Sequence, residues 1–179
     1  MLIKGKKYNL REIRKEDLPL KVRWINDPKV HVNLHYDIPI TLKKTTQWFE
    51  RTQNDSSRLD LIIETLTGTP VGLIGLLDIS ERDKTTEIYI AIGETEYWGK
   101  GAMLETESML IEYVIRELNL YKILAQTRPA NIGSIITMKK LGFQIEGTLR
   151  QEKCIQGERV DILIMGLLKD EFNCFHEKG

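Results

Sequence analysis

A pair of glycines between a strand and a helix constrains this chain more than any other feature. Thr86–Ile92 alternates as a strand does, with Ile88, Ile90 and Ile92 on one face and Glu87, Tyr89 and Ala91 on the other. The run Tyr97-Trp98-Gly99-Lys100-Gly101-Ala102-Met103 follows. From there Met103, Leu110, Val114 and Leu118 form the apolar stripe of the strongest helical pattern, while Glu112 and Arg116 sit one turn apart on its exposed side. Glycines at such a junction let the backbone approach a ligand with no Cβ in the way. The helix that opens there presents unpaired N–H groups and the positive end of its dipole, which suits a phosphate or pyrophosphate. A Walker A loop is excluded by the absence of G-x-x-x-x-G-K-[ST], and the dinucleotide fingerprint lacks its third glycine.

The surrounding pattern gives the fold class. Tyr8–Ile13 reads as a first strand, and Asp17 is expected to cap a helix through Leu18, Val22 and Ile25 that stops at Asn26-Asp27-Pro28. Thr41 opens a second helix. Leu59–Glu64 and Pro70–Ile79 are strands joined at Thr67-Gly68-Thr69, and Lys122–Thr127 is a short strand. Asn131–Leu141 is a helix closed by Gly142, and Phe143–Cys154 pairs with Arg159–Leu168 across Gln156-Gly157. The order β-α-α-β-β-β-α-β-α-β-β predicts an α/β chain of the mixed α+β kind, one central sheet with helices on both faces. With no linker or repeat, and with 179 residues, it reads as a single domain over 1–179.

Charge and composition remove several classes of function. The chain carries 26 basic and 26 acidic side chains, so no large positive field is available for nucleic acid. The start MLIKGKKYNLREIRKED has no apolar signal region, and no apolar run approaches the roughly 20 residues of a membrane span. A cytoplasmic location is expected, with no membrane partner. Cys154 and Cys174 read as free thiols, and no Cys/His spacing suggests a metal.

Thirty residues after Gly101 stands Asn131-Ile132-Gly133-Ser134, on a helix that ends Lys139-Lys140-Leu141-Gly142-Phe143. Together the loop and this helix resemble the GNAT superfamily of N-acetyltransferases. That superfamily has a Q/R-x-x-G-x-G/A loop for the coenzyme A pyrophosphate and an N-x-x-[SA] helix for the pantetheine arm. Thr86–Ile90, and Glu146-Gly147-Thr148-Leu149-Arg150 followed by Gly157, Asp161 and Met165, are similar to the RimJ/RimL-like branch, as are Leu10–Ile13 and Trp24–Val30. The resemblance implies a GNAT fold, with a mixed, mostly antiparallel sheet, and acetyl-CoA as co-substrate. It implies cofactor contacts from Ile90, Ala91, Ile92, Trp98, Gly99, Lys100, Gly101, Ala102, Met103 and Asn131. Two departures stand out: Met103 replaces a small residue of the loop, and Met138 occupies a position that is often tyrosine, the acid for the leaving thiolate. Ser134 is then the nearest hydroxyl and is taken as a catalytic candidate.

A thioester acetylates only a neutral amine. Deprotonating an α-amine of pKa near 7.7–8.0 at pH 7 costs about 1 kcal/mol, against roughly 4.6 kcal/mol for a lysine-like amine. Glu87, opposite the isoleucine face, is the candidate base, and backbone N–H groups near Ile90–Ile92 are candidate oxyanion donors. Trp24, His31, His35 and Tyr89 are candidate substrate-binding residues. The expected reaction is direct acetyl transfer to a primary amine, a small molecule or a peptide, with a protein N-terminal amine favoured. A polyamine of the spermidine type, an amino-sugar nucleotide and a non-catalytic acetyl-CoA-binding module stay open as alternatives. A homodimer is compatible with all of them.

Overall fold

The computed structural model describes residues 2–174. Among these residues the strands are β1 Leu2–Lys4, β2 Tyr8–Glu12, β3 Leu59–Thr65, β4 Pro70–Ser80, β5 Thr85–Ile92, β6 Lys122–Thr127, β7 Gln144–Ile155 and β8 Glu158–Leu168. The helices are α1 Leu18–Asn26, α2 Pro28–His31, α3 Leu42–Thr52, α4 Ala102–Arg116 and α5 Ile132–Leu141. All eight strands join one open sheet in the order β1-β2-β3-β4-β5-β6-β8-β7. Every neighbouring pair is antiparallel except β5 and β6, which α4 connects and which run parallel. None of these helices is long and apolar enough to cross a membrane.

The alternation read in β5 sorts the two faces. Ile88 packs with Leu110, Ile111 and Val114 of α4 and with Met138 and Leu141 of α5, so these helices cover one face. Tyr89 points the other way, toward Trp24 of α1, Ile62 and Leu73. Leu110, Ile111 and Val114 are fully buried, and burying each stabilises the fold by about 1.5–3 kcal/mol.

Charged side chains pin both helical layers to the sheet. Arg11 of β2 forks onto the buried Asp17 carboxylate at 2.7 and 2.8 Å and holds Glu64 of β3 at 2.7 Å. Burial pushes Asp17 up, but the hydrogen bonds from Arg11 and from the Arg14 N–H outweigh it and leave its pKa lowered. On the other face, Glu105 of α4 accepts from the backbone N–H of Lys7 at 2.8 Å and of Tyr8 at 3.3 Å.

Three expectations need correction. Leu2–Lys4 adds a strand beyond Tyr8–Glu12. Pro28 does not merely stop α1. It is the first residue of α2, with Asp27 accepting from the Lys29 N–H as the cap. Asp17 makes no side-chain cap for α1, because its carboxylate is committed to Arg11 and Arg14. Thr41 does cap α3, and Gly142, at φ 105°, does end α5.

The end of β5 rests on α1 through Gly93, where a β-carbon would run into the Trp24 ring. Gly93→Ala is therefore expected to destabilise the fold by about 1–3 kcal/mol, as overpacking does. Urea denaturation should show a lower midpoint at unchanged slope.

Candidate active site

β5 and β6 pair over four residues only, from Thr85↔Lys122 to Ile88↔Ala125. Beyond that pair β5 continues to Ile92 and β6 to Thr127 without pairing to each other. The strands splay, and a cavity of about 280 Å³ opens through the sheet at the split. Residues of both faces line it: Glu87, Tyr89 and Lys153 from one, Glu107, Ser134 and Met138 from the other.

At the open end of the split the chain turns through Gly99 (φ 72°) and Gly101 (φ 82°), both left-handed, with no atom within 4 Å of where a β-carbon would stand. Gly101 is the N-cap of α4 and makes no side-chain cap, so the N–H groups of Ala102, Met103 and Leu104 have no acceptor within the helix. The Lys100 N–H is engaged with Tyr97 O at 3.4 Å, and its ammonium lies 5.6 Å from the Tyr97 ring centre. The Trp98 indole donates to Ile92 O at 2.9 Å, which closes off that carbonyl at the end of β5. An open glycine turn with unpaired N–H groups, leading into a split between strands, fits a diphosphate with an extended arm.

Asn131 and Ser134 line the cavity from the start of α5. Asn131 Oδ1 accepts from the Ser134 N–H at 3.3 Å, which leaves the Asn131 amide NH₂ to point elsewhere. Ile90 and Ala91 border the cavity too, on the stretch of β5 that has lost its β6 partner.

Glu87 is half-buried on the opposite face, and its Oε2 accepts from Gln126 Nε2 at 2.8 Å. Burial raises its pKa, while the Gln126 hydrogen bond and Lys153 pull it partly back. His35 also lines the cavity. Burial, with Lys153 and then Arg128, holds it down at about 4. Lys153 Nζ lies 3.3 Å from His35 Nδ1, and an ammonium can only donate, so the imidazole proton sits on Nε2, which has no partner. Tyr89 donates its hydroxyl to Asp60, itself held by Arg58 at 2.7 and 2.9 Å.

Other expected residues lie elsewhere. Trp24 is a core residue: it is buried beside Ile62 and Leu73, its indole donates to Glu94 at 2.8 Å, and it does not reach the cavity. His31 ends α2 outside the cavity lining. Trp48 covers Lys21, whose ammonium is 3.2 Å from its ring centre, and burial brings Lys21 down to about 7. Sequence reasoning missed Glu107 of α4, which is fully buried, lines the cavity and leaves Oε2 with no hydrogen-bond partner. Burial raises Glu107 to about 8. The folded chain thus keeps a proton that the unfolded chain releases. On top of the cost of burying the carboxyl, the fold is therefore most stable below the ordinary glutamate range and loses stability as pH rises toward about 8.

Known proteins share this architecture. The acetyltransferase (GNAT) domain family matches residues 7–144. An uncharacterized N-acetyltransferase p20 of Bacillus licheniformis is 30% identical over 172 residues, covering 93% of this chain and 95% of that protein. The spermidine N(1)-acetyltransferase of Escherichia coli K12 is 26% identical over 169 residues, covering 94% and 89%. A crystal structure of spermidine N-acetyltransferase from Vibrio cholerae, in complex with CoA and spermine, superposes with a TM-score of 0.86. It is 22% identical and covers 93% of this chain and 98% of that one.

The cationic surroundings of His35 are testable. Lys153→Met removes a like charge, so the His35 pKa should rise, yet stay below the ordinary histidine value because burial is the larger cause. Titration of the imidazole C–H resonances by NMR would measure the shift.

Proposed function

The chain belongs to the GNAT acetyltransferase domain family, with acetyl-CoA as co-substrate, and from that premise we propose that it acetylates the α-amine of a polypeptide N-terminus within the split between β5 and β6. The observation that carries this reading is the cavity passing through the sheet, with the Glu87 carboxyl on the face away from α4 and α5. The pyrophosphate is bound by the backbone N–H groups at Gly99, Gly101, Ala102 and Met103, with Lys100 contributing its ammonium. The Asn131 amide holds the pantetheine arm. The unpaired edge of β5 at Ile90 and Ala91 faces the thioester carbonyl, and Trp98 braces the strand end through Ile92.

Glu87 takes the amine proton, directly or through water, as the nitrogen attacks. Its raised pKa makes it a better proton acceptor than an ordinary carboxylate. His35 is held neutral, so on this reading it shapes the acceptor end instead of acting as the base. Ser134 and Tyr89 complete the walls on opposite faces. On this reading transfer is direct, in keeping with a cavity lining that includes neither Cys154 nor Cys174.

The charge around the acceptor end favours an acceptor with few other cations. Lys153 and Arg58 border the cavity, and Arg128 is close enough to act on His35. A polyamine keeps positive charge on every nitrogen not being acetylated and needs carboxylates to hold it. The Asp60 carboxylate is already engaged by Arg58 and Tyr89. An N-terminal amine, the acceptor type of the RimJ/RimL-like branch, avoids that repulsion. The similarity to spermidine acetyltransferases supports a second reading, in which the acceptor is a polyamine.

Coenzyme A release measured with peptide N-termini, spermidine and an amino-sugar nucleotide separates these readings. The highest kcat/KM is expected for a peptide α-amine, and a spermidine value tenfold above it would reverse the assignment. Glu87→Gln keeps the shape and removes the basicity. It should lower kcat/KM by about 10²–10⁴ with acetyl-CoA affinity unchanged, and raising pH should recover part of the loss as the amine deprotonates itself. A pH–rate profile identical to that of the wild type would make Glu87 a wall residue.

A further inference from the structure

We propose that Glu107 is the acid that protonates the departing thiolate, acting from the face of the sheet opposite Glu87. The assignment rests on the reading of the split as the place where acetyl-CoA and the amine react.

The geometry isolates Glu107 in a way that folding alone does not require. It stands on the core-facing side of α4, fully buried, three residues before Leu110 and seven before Val114. Its Oε2 is buried without a partner, although a stranded polar group destabilises a fold. The same side chain lines the cavity beside Ile88 and Ala125, the last pair before β5 and β6 separate. A buried carboxyl with a free oxygen on the wall of the split is a proton donor without an acceptor.

The other ionisable groups around the cavity do not fill this role. Glu87 and Tyr89 of β5 point to the far face; Glu87 is the base, and the Tyr89 hydroxyl is committed to Asp60. His35 is held neutral, Lys153 and Arg58 border the acceptor end, and the Tyr36 phenol lies there too, within reach of Asp60 and Arg58, with burial and Asp60 raising its pKa. From α5 the walls are Asn131, Ser134 and Met138; Met138 has no proton to give, and the Ser134 hydroxyl is a far weaker acid than a carboxyl.

The step balances. The amine nitrogen forms a bond to the thioester carbonyl carbon, and its proton goes to Glu87. The C–S bond breaks, and sulfur takes the Glu107 proton, giving thiol and amide. The carboxylate left at Glu107 is reprotonated through solvent by the proton that Glu87 releases, so no net proton is consumed.

Because burial keeps Glu107 protonated up to about pH 8, kcat should fall above that pH in the wild type. Glu107→Gln and Glu107→Leu should each lower kcat by about 10²–10³ and abolish that alkaline limb, while calorimetric acetyl-CoA affinity stays within about threefold. The leucine variant should melt at or above the wild-type temperature, since it removes the stranded carboxyl; this separates lost chemistry from lost fold. Wild-type kcat in either variant, or an alkaline limb that persists in both, would overturn the assignment. A wild-type protein that neither binds acetyl-CoA nor releases coenzyme A with any amine would defeat the underlying reading instead.

Discussion

The separation of β5 from β6 after four paired residues is the constraint on which the rest of the site depends. A parallel pair needs a crossover, and here α4 supplies it. The crossover passes through the glycine turn, so the split and the uncapped helix terminus come from one stretch of chain. Past Ile88 and Ala125 the facing edges forfeit their ladder hydrogen bonds, a cost borne only where another partner takes them up. Trp98 answers one of them by donating to Ile92 O. The remainder face the cavity, where a polar, extended ligand can replace a strand.

The flanking layers keep the split from closing. Leu110, Ile111 and Val114 hold α4 against β5 on one face, and Trp24 supports the end of β5 on the other. The ion cluster of Arg11, Asp17 and Glu64 fixes where α1 leaves the sheet. These contacts set the distance between two environments for carboxyl groups. Glu87 is half-buried and bonded to Gln126, whereas Glu107 is fully buried with its Oε2 unbonded. Two acids in unlike surroundings are what opposed proton transfers require.

Much of this was legible in the residues, and the exceptions have physical causes. Long periodic segments such as Thr86–Ile92 and Ala102–Arg116 declare themselves because alternation or a helical stripe repeats several times. Leu2–Lys4 and Pro28–His31 span three and four residues, too few for a period to emerge. Asp17 carried a capping signal that a stronger partner, Arg11, overrode. Trp24 was a candidate for the acceptor pocket, although an aromatic at helical spacing is more often core, and its burial, its bond to Glu94 and the approach of Gly93 place it in the core. Glu107 did leave a trace, because a carboxylate on the same helical stripe as Leu110 and Val114 breaks the apolar pattern. What composition could not convey is that the stripe crosses the bottom of a cavity at that point.

The clamp around Glu94 has a mechanical meaning. Glu94 stands one residue beyond β5, its backbone is bound to Val71, and its carboxylate receives both the Trp24 indole and the Arg23 guanidinium of α1. Helix and strand end are therefore welded at the point where the chain departs toward the glycine turn. A displacement of α1 would be felt at the end of β5, and a displacement of the strand end would be felt in α1. Helix and strand end move as one body there, so a substitution that breaks the clamp would loosen both together.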